Sequence, residues 1–457
     1  MKRVRIRAGV FLGAVVVSCC AWLLFYSHAA VARAAAHVMD EEVERGNFSG
    51  AVLVSRGGQI LFERAYGDAD SAHGIPNTTQ TRFLIGSITK SFTAVLVMQF
   101  EQRGRLSLAD PVCNYLETCP AGWQPIRLQH LLSHSSGIFN ITNAPEFESL
   151  RGVEQTRAQL LARMREHPLA FRAGEGYAYS NSNYYLLGVV LEKISGDSYE
   201  HLLKRQVLDP LSMRDTGMAR TADRTGQALG YHRDPAGDYR ENPPMHESWS
   251  FSAGGMYSTL HDLRTFSDAL ADGRLLSRAS LERMWHPATG DYGYGFVASA
   301  VSPWTFDRRM VEHGGRMPGF VSMFQRYPDD GVTIIVLSNR DDAMPPRVAR
   351  GLGAATFGVP YRTVFARQVV QVSTAVMERF AGVYEFEGTK FFLNIRNGGM
   401  VVNVEGGPEV PVSFESESAF FVEGMEGTVV ALEDRKGAVT GLSVPIRGSM
   451  KVAHRVN

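Results

Sequence analysis

The sequence has no excess of charge of either sign, and its N-terminal part contains one long run of uncharged, mainly apolar residues. Its 457 residues include 47 basic and 47 acidic side chains, so the formal net charge is zero. Because a protein that binds nucleic acid needs a basic surplus to contact phosphates, this balance argues against nucleic acid as the main partner. Apolar residues make up 44% and charged residues 21% of the chain. This composition is typical of globular proteins and argues against a disordered chain or a polytopic membrane protein.

Cysteine is also scarce, which argues against a fold held together by disulfides or a metal. Four cysteines are too few for a disulfide scaffold in a chain of this length. We find no Cys-x-x-Cys, Cys/His or His-Glu-x-x-His spacing, and therefore predict neither a metal nor another cofactor. Cys113 and Cys119 are close enough in sequence for a local disulfide, but two unrelated thiols fit this spacing equally well.

Residues 1–36 have the features of a targeting segment. The first seven residues include four basic ones, residues 8–26 carry no charge, and Ala-x-Ala sites follow at residues 30–36. This pattern predicts a cleaved secretory signal peptide. Because the uncharged run is also long enough to span a membrane, an uncleaved anchor through residues 8–26 is the alternative, and the residues before Cys19 loosely resemble a lipoprotein signal. Each interpretation places the rest of the chain in the periplasm or outside the cell.

Strand signals at both ends of residues 37–365 enclose a helical middle. Residues 48–66 contain two apolar runs around Arg56-Gly57-Gly58, which is a β-hairpin pattern. Two further strand-like runs lie within residues 320–339, and residues 120–290 hold several helical stretches. This order predicts an α+β domain in which one antiparallel sheet is made from both ends of the segment, with a helical insertion.

The sequence pattern changes from about residue 375. Short apolar runs then alternate with turns rich in Gly and Asn, as in FAGVYEF and FFLNIRNGGMVVNV. This pattern predicts a separate all-β domain over residues 375–457, either a meander or a small barrel. The alternative is that these strands extend the main sheet.

One Ser-x-x-Lys motif, Ser87-Ile88-Thr89-Lys90, stands at the predicted start of a helix. It is the only such motif in a chain with seven lysines and forty arginines. Residues three apart share a helix face, so Lys90 is expected beside the Ser87 hydroxyl. The helix start leaves backbone N–H groups free to stabilise an oxyanion, and partial burial would lower the pKa of Lys90 so that it accepts the serine proton. For a lone motif, an exposed Ser and Lys on an ordinary helix is the alternative.

Two further motifs follow in order along the chain. Tyr179-Ser180-Asn181 lies in GEGYAYSNSNYYLLG, and His313-Gly314-Gly315 lies in VEHGGRMPGF. Each alone is also typical of a turn. Together with Ser-x-x-Lys, the set resembles the serine β-lactamase and penicillin-binding-protein superfamily, in particular the class C-like branch that includes D-alanyl-D-alanine carboxypeptidases, D-aminopeptidases and carboxylesterases. The resemblance covers roughly residues 40–350 and includes LQHLLSHSSGI and FSAGGMYSTLHDL.

The resemblance implies a role for the residues of the first two motifs. Ser87 is the acylated nucleophile, and Lys90 and Tyr179 share its proton. Tyr179 is the preferred proton donor to the leaving group. Asn181 orients Lys90 and hydrogen-bonds the substrate. The fold implied is a β-lactamase-like antiparallel sheet with flanking helices and a helical subdomain, followed by a domain that resembles the lipocalin-like barrels appended to some members.

The third motif departs from the pattern of β-lactamases, which carry Lys-Thr-Gly or Lys-Ser-Gly there. The resemblance places His313, Gly314 and Gly315 at a strand edge beside the scissile bond, with the oxyanion hole formed by the N–H groups of Ser87 and Arg316. Histidine is mostly neutral at pH 7, and Gly314 lacks the hydroxyl, so efficient β-lactam hydrolysis is not expected. Arg316 is the candidate for a replacement charge that binds a substrate carboxylate.

The sequence therefore predicts an exported serine hydrolase that acts through an acyl-serine intermediate on D-amino-acid peptides, amides or esters of cell-wall type. We find no Gly-x-Ser-x-Gly, which argues against an α/β-hydrolase. His134 is interpreted as a structural histidine. The alternatives are a carboxylesterase or weak β-lactamase, and a peptidoglycan-binding or β-lactam-sensing protein that does not turn over. The expected partner is a small or peptidoglycan-derived substrate, and the oligomeric state is not predicted.

Overall fold

The computed structural model describes residues 28–456 apart from 45, 47, 235, 300, 303–304, 360–368, 387–388, 397, 405–408, 423–427, 435–436 and 447–448. The described residues form two compact units that divide between residues 359 and 360, with residues 301–307 grouped with the second unit. The predicted signal or anchor run at 8–26 lies outside the described residues. Within the described part of the chain, no helix has the length and apolar character needed to cross a membrane.

The first unit mixes short strands with helices. Its strands are β1 (Gly50–Arg56), β2 (Gln59–Tyr66), β3 (Asp68–Asp70), β4 (Ile75–Pro76), β5 (Phe83–Leu84), β6 (Gly217–Met218), β7 (Tyr231–Arg233), β8 (Tyr239–Glu241), β9 (Met256–Ser258), β10 (Val297–Ser299), β11 (Met310–Met317), β12 (Phe320–Tyr327) and β13 (Val332–Ser338). Its helices are α1 (28–44), α2 (Thr89–Gln102), α3 (Leu128–Leu132), α4 (Phe147–Leu150), α5 (Arg157–Glu166), α6 (Asn181–Ser195), α7 (Tyr199–Leu203), α8 (Glu247–Gly254), α9 (Leu260–Ala271), α10 (Arg278–Trp285) and α11 (Pro345–Phe357).

The main sheet joins the two ends of the first unit. It has the strand order β10–β11–β12–β13–β1–β2, and all neighbouring strands are antiparallel. β1 pairs with β13 along its full length, beginning with Gly50 opposite Ser338. The turn between β1 and β2 is Gly57-Gly58, whose φ angles of 55° and 79° suit glycine. The predicted hairpin, and the predicted sheet made from both ends of the segment, are confirmed.

The centre of this sheet is buried on both faces. All seven residues of β13, VTIIVLS, are buried. Because successive residues of a strand point to opposite faces, both faces must be covered, and α9 and α11 pack against this strand. Burial on both sides explains why β13 is apolar without the alternation of a half-exposed strand.

α2 is a core helix that carries polar residues into the interior. Its residues 89–100 are buried, and the single 3₁₀ turn Gly86–Ile88 leads into it. Because α6 and α8 enclose it, its polar side chains bond to neighbouring segments. Ser91 Oγ, for example, donates to the carbonyl oxygen of Gly295 at 2.7 Å. Lys90 lies in the first turn of this enclosed helix, so its environment differs from that of a surface lysine.

α1 is packed into the first unit. Its residues Ala35 and Met39 are fully buried. Glu42 of the same helix accepts a hydrogen bond at 3.0 Å from Nε of Arg347 on α11, and both side chains are largely buried. The Ala-x-Ala sites at 30–36 lie within α1. Whether and where the leader is cleaved stays a prediction.

Cys113 and Cys119 form a disulfide, with Cα atoms 5.4 Å apart. The bond closes a short loop that begins within the 3₁₀ turn Val112–Tyr115. Of the two alternatives that the spacing left open, the structure therefore has the local bridge. Disulfides of this kind persist in oxidising compartments.

The second unit is a closed β-barrel preceded by α12 (Thr374–Phe380). Strands that follow one another in sequence pair antiparallel, and the last strand pairs with the first. The rings of Phe380, Phe414 and Phe420 meet in its core with centroids 5.4 to 5.9 Å apart. The predicted separate all-β domain is confirmed, and the alternative that its strands extend the main sheet is wrong. The strands are β14 (Gly382–Phe386), β15 (Thr389–Arg396), β16 (Gly399–Val404), β17 (Val410–Ser416), β18 (Ala419–Val422), β19 (Val429–Glu433), β20 (Val439–Ile446) and β21 (Ser449–Val456).

We expect limited proteolysis to cut the chain first between residues 360 and 375 and to leave two resistant fragments. Each unit has its own buried apolar core, and backbone that joins two cores is the usual site of first cleavage. Mass spectrometry of a digestion series locates the first cut, and circular dichroism shows whether the C-terminal fragment stays folded. First cuts elsewhere, with this segment protected, would show that the predicted boundaries at 365 and 375 are misplaced.

Candidate active site

Ser87 lies in the 3₁₀ turn that precedes α2, at the positive end of a helix. Gly86 has a φ of 50°, and a β-carbon built on it would lie 2.6 Å from the backbone nitrogen of Arg316. Glycine is therefore required twice over, for its backbone conformation and for the close approach of β11. This approach brings the main chain of Arg316 next to the turn that carries Ser87.

Gly315 of the third motif serves the same contact from the other side. A β-carbon on Gly315 would lie 2.0 Å from the carbonyl oxygen of Ile85. Ser322 on β12 donates to this same carbonyl oxygen at 3.1 Å. The segment before Ser87 is thus fixed against β11 and β12, which is the strand-edge position that the sequence predicts for the third motif.

Lys90 makes three short contacts from a fully buried position. Its Nζ lies 2.9 Å from Ser87 Oγ, 2.8 Å from Asn181 Oδ1 and 2.7 Å from the carbonyl oxygen of Ala253. Burial holds the pKa of Lys90 well below its usual range. In the neutral amine, the two N–H groups satisfy the two carbonyl-type acceptors, and the lone pair faces the serine hydroxyl.

Tyr179 lies close to both Ser87 and Lys90. It lines the same cavity as Ser87, and its ring centre is 4.9 Å from Lys90 Nζ. Burial raises the pKa of Tyr179, more strongly than an interaction with the Ser87 side chain lowers it, so the phenol stays protonated at neutral pH. A neutral amine and a protonated phenol therefore both lie near the Ser87 side chain.

Asn181 is the first residue of α6 and is held by two bonds. Its backbone N–H donates to Asn140 Oδ1 at 3.0 Å, and its side-chain Nδ2 donates to Thr142 Oγ1 at 3.0 Å. Because Nδ2 is committed to Thr142, Oδ1 is directed at Lys90. The predicted orienting partner of Lys90 is therefore in contact with it.

His313 is buried on β11, and its ring bonds to the protein at both nitrogens. Nε2 lies 2.8 Å from Tyr292 Oη, and Nδ1 lies 2.6 Å from the carbonyl oxygen of Gly314. Because a carbonyl oxygen only accepts, Nδ1 carries a proton and donates to it. Both ring nitrogens are thus engaged within the protein, and His313 is not among the residues that line the cavity described next.

A cavity of about 470 Å³ opens at Ser87. Tyr179, Asn181 and Arg316 line it, and the guanidinium of Arg316 is exposed. Lys90 lies directly behind the serine. The sequence did not predict the apolar part of the wall, which consists of Phe147, Met245, Trp249, Ala253, Met317 and Pro318. Among the described residues, no cluster of His, Cys, Asp or Glu has the arrangement of a metal site.

The site can be compared with known proteins. The family model described as Beta-lactamase matches residues 31–356. Penicillin-binding protein 4* of Bacillus subtilis is 29% identical over 410 residues, which cover 84% of this chain and 89% of the relative. The teichoic acid D-alanine hydrolase of Staphylococcus aureus is 26% identical over 266 residues, which cover 57% of this chain and 65% of the relative. A solved D-stereospecific amidohydrolase from Streptomyces sp. has a TM-score of 0.60 at 28% identity, over 73% of this chain and 99% of that chain.

The family match covers most of the chain and spans the residues that surround the cavity. It confirms the resemblance inferred from the three ordered motifs, and the observed sheet and barrel confirm the fold that the resemblance implied. The chain belongs to the Beta-lactamase family and is a serine hydrolase of the β-lactamase and penicillin-binding-protein type.

Proposed function

We propose that this protein is an exported enzyme that acylates Ser87 and releases the acyl group to water, acting on D-amino-acid peptides, amides or esters of cell-wall type. The observation that carries the proposal is the position of Lys90 Nζ, 2.9 Å from Ser87 Oγ at the wall of a cavity. No metal or other cofactor takes part in the proposed reaction.

Lys90 is the base in the acylation step. Its lone pair takes the Ser87 proton while Oγ bonds to the substrate carbonyl carbon and the carbonyl electron pair moves to oxygen. Tyr179 does not fill this role, because burial raises its pKa and keeps it protonated. The backbone N–H groups of Ser87 and Arg316 stabilise the oxyanion, a role supported by the close approach of β11 to Gly86.

Tyr179 is the acid that completes acylation. When the tetrahedral intermediate collapses, the phenol gives its proton to the departing nitrogen or oxygen, and the bond to the leaving group breaks. The proton that Lys90 received replaces the one lost by Tyr179. In deacylation Lys90, again neutral, takes a proton from water while the water oxygen bonds to the acyl carbon. The acyl–Oγ bond then breaks, and Lys90 returns this proton to Ser87 Oγ.

The substrate class rests on the cavity and on the relatives. One similar protein is named a teichoic acid D-alanine hydrolase, and another a D-stereospecific amidohydrolase. The cavity offers an apolar wall and one exposed guanidinium, which fits a substrate with an apolar part and a carboxylate. Among the described residues, Arg316 has no carboxylate within ion-pair distance, and its Nη1 donates to the carbonyl oxygen of Asp341 at 3.1 Å.

Arg316→Ala is expected to raise KM for carboxylate-bearing substrates by about 10- to 100-fold, the value of one charge-assisted hydrogen bond. Uncharged esters should change by less than about 2-fold, because the backbone N–H at this position remains. Steady-state kinetics with a D-alanyl peptide and with p-nitrophenyl butyrate measure both effects. Arg172→Ala removes an exposed arginine outside the cavity and serves as the control. Equal changes in KM for both substrates would show that Arg316 does not bind the substrate carboxylate.

Export is supported by the N-terminal sequence and by a disulfide bond. The basic start and the uncharged run at 8–26 predict passage to or through a membrane. The Cys113–Cys119 disulfide fits an oxidising compartment. Residues 8–26 remain the candidate anchor if the leader is not cleaved.

Turnover assays separate the proposed activity from its alternatives. The proposed enzyme hydrolyses D-amino-acid amides or D-alanyl peptides steadily and prefers them to the L-forms. A carboxylesterase hydrolyses p-nitrophenyl butyrate but not the amides, and a weak β-lactamase opens penicillin. A sensor gives one burst equal to the protein concentration and then stops. Mass spectrometry after incubation with a fluorophosphonate places the adduct, which we expect on Ser87.

A further inference from the structure

Tyr179 is the only member of the proposed Ser87–Lys90–Tyr179 group that lies outside a helix or helical turn. Ser87 is part of the 3₁₀ turn, and Lys90 lies on α2. Tyr179 lies in an irregular segment that ends where α6 begins. Backbone without a helix or sheet ladder depends on other groups for its position. The segment must therefore be fixed by contacts from elsewhere.

His134 supplies three of these contacts. Its carbonyl oxygen accepts from the N–H of Ala178 at 3.0 Å, and its ring Nδ1 accepts from the N–H of Ser180 at 3.2 Å. The ring also faces that of Tyr179, with centroids 4.3 Å apart. Both neighbours of Tyr179 in the chain and the tyrosine ring itself are thus held by one residue.

The tautomer of His134 follows from these bonds. A backbone N–H only donates, so Nδ1 must be unprotonated and the ring proton is on Nε2. Burial holds the pKa of His134 well below its usual range. Nε2 has no hydrogen-bond partner among the described residues. The ring therefore stays neutral and keeps its acceptor directed at Ser180.

His134 also adopts a backbone conformation that is rare for histidine. Its φ is 56°, in the left-handed region, while its side chain is fully buried. It lies two residues after the last residue of α3, and the bonds of its carbonyl and ring to the Tyr179 segment both depend on this turn. The strained conformation is what points the carbonyl and the ring toward the same segment.

We propose that His134 is the positioning residue for Tyr179, holding the phenol where it donates its proton to the leaving group. This inference rests on the proposed function, in which Tyr179 is the acid. His134 touches neither substrate nor the reacting atoms in this assignment. Removing His134 should therefore lower kcat/KM most for substrates whose leaving group needs a proton to depart.

Leaving groups of different basicity make the proposal testable. p-Nitrophenolate departs without a proton, whereas ethoxide or an amine requires one. In His134→Phe, which keeps the ring and removes the acceptor, kcat/KM for ethyl butyrate and for D-phenylalanine amide should fall about 100-fold, the cost of a misplaced catalytic group. For p-nitrophenyl butyrate the fall should stay below about 3-fold, because general acid catalysis adds little there.

His134→Asn is the matched variant. Asparagine tolerates a positive φ and offers Oδ1 as an acceptor for the Ser180 N–H, so it should restore most of kcat/KM for the ethyl ester. His130→Asn changes a histidine on the adjacent helix α3 that does not line the cavity, and should leave all three substrates unaffected. Circular dichroism and Tm confirm that each variant is folded. If the Phe variant does not fold, His134→Gly replaces it, because glycine relaxes the positive φ and also lacks the acceptor.

The possible outcomes distinguish failure of the positioning role from failure of the proposed hydrolase function. A loss that grows with leaving-group basicity, and is rescued by asparagine, supports the positioning role. An equal loss on all substrates, or no loss in a folded variant, overturns it while leaving the hydrolase intact. A wild-type protein that turns over none of the substrates overturns the proposed function, and the inference falls with it.

Discussion

Ser87→Ala is expected to abolish turnover, with kcat/KM falling by about four to six orders of magnitude, as when a covalent nucleophile is removed from other serine hydrolases. The substitution deletes the hydroxyl that contacts Lys90 Nζ at 2.9 Å, and no other hydroxyl in the described structure is within hydrogen-bond distance of this amine. The measurement is hydrolysis of an ester and of a D-amino-acid amide, together with labelling by a fluorophosphonate. The label should also be lost.

A matched serine on the same helix provides the control. Ser91 lies four residues after Ser87. Ser91→Ala removes a buried hydroxyl that donates to the carbonyl oxygen of Gly295. It should lower the free energy of unfolding by about 1 kcal/mol, the usual value of one hydrogen bond, and leave labelling intact. Near-normal hydrolysis by a folded Ser87→Ala protein would end the interpretation of this chain as an acyl-serine enzyme that uses Ser87.

Lys90→Met is expected to lower kcat/KM by about 10³-fold, within the usual range for loss of a general base. The same variant should change how stability depends on pH. Burial lowers the pKa of Lys90 in the folded state below its usual value of 10.5, so between the folded pKa and 10.5 the unfolded chain binds more protons. The stability contribution of this group therefore rises with pH through that window and levels off above 10.5.

Chemical denaturation at several pH values measures this slope. As pH rises, the free energy of unfolding of the wild type should increase relative to that of Lys90→Met. The variant also leaves two acceptors unpaired, Asn181 Oδ1 and the Ala253 carbonyl, but this loss is the same at every pH and does not affect the slope. Lys193→Met, at an exposed lysine of α6, should change neither the slope nor the activity. If the free energies of unfolding of wild type and Lys90→Met differ by the same amount at all pH values, the pKa of Lys90 is not lowered in the folded state. Another group would then have to act as the base.

The features that the sequence predicted well depend on local patterns. Gly57-Gly58 between two apolar runs specifies a hairpin without any knowledge of the rest of the chain. The spacing within Ser87-Ile88-Thr89-Lys90 requires only a helix to bring its two ends together. The barrel strands are recognisable in the sequence as short apolar runs separated by turns. In each case the physical cause acts over a few residues.

The features that the sequence did not show depend on segments that meet only in three dimensions. The Ala253 carbonyl accepts from Lys90 across 163 residues, and a main-chain acceptor leaves no trace in the sequence. The apolar wall around Trp249 likewise has no spacing rule. His313 lies on β11, and the contact of its ring with Tyr292 could not be inferred from the two residue types. Nothing in the sequence connects His134 with Tyr179, because their contact requires the fold.

The pairing of β1 with β13 also affects the order in which the chain can fold. Ser338 on β13 donates to the carbonyl oxygen of Ser49, 289 residues earlier. The central pair of the main sheet therefore cannot form until nearly the whole first unit has been synthesised, and closing so long a loop makes folding slow. If the protein is exported as proposed, this delay keeps the chain unfolded during passage through a secretion channel. The nucleophile turn, which rests on β11 and β12, would then be assembled only after translocation, so that no active hydrolase forms inside the cell.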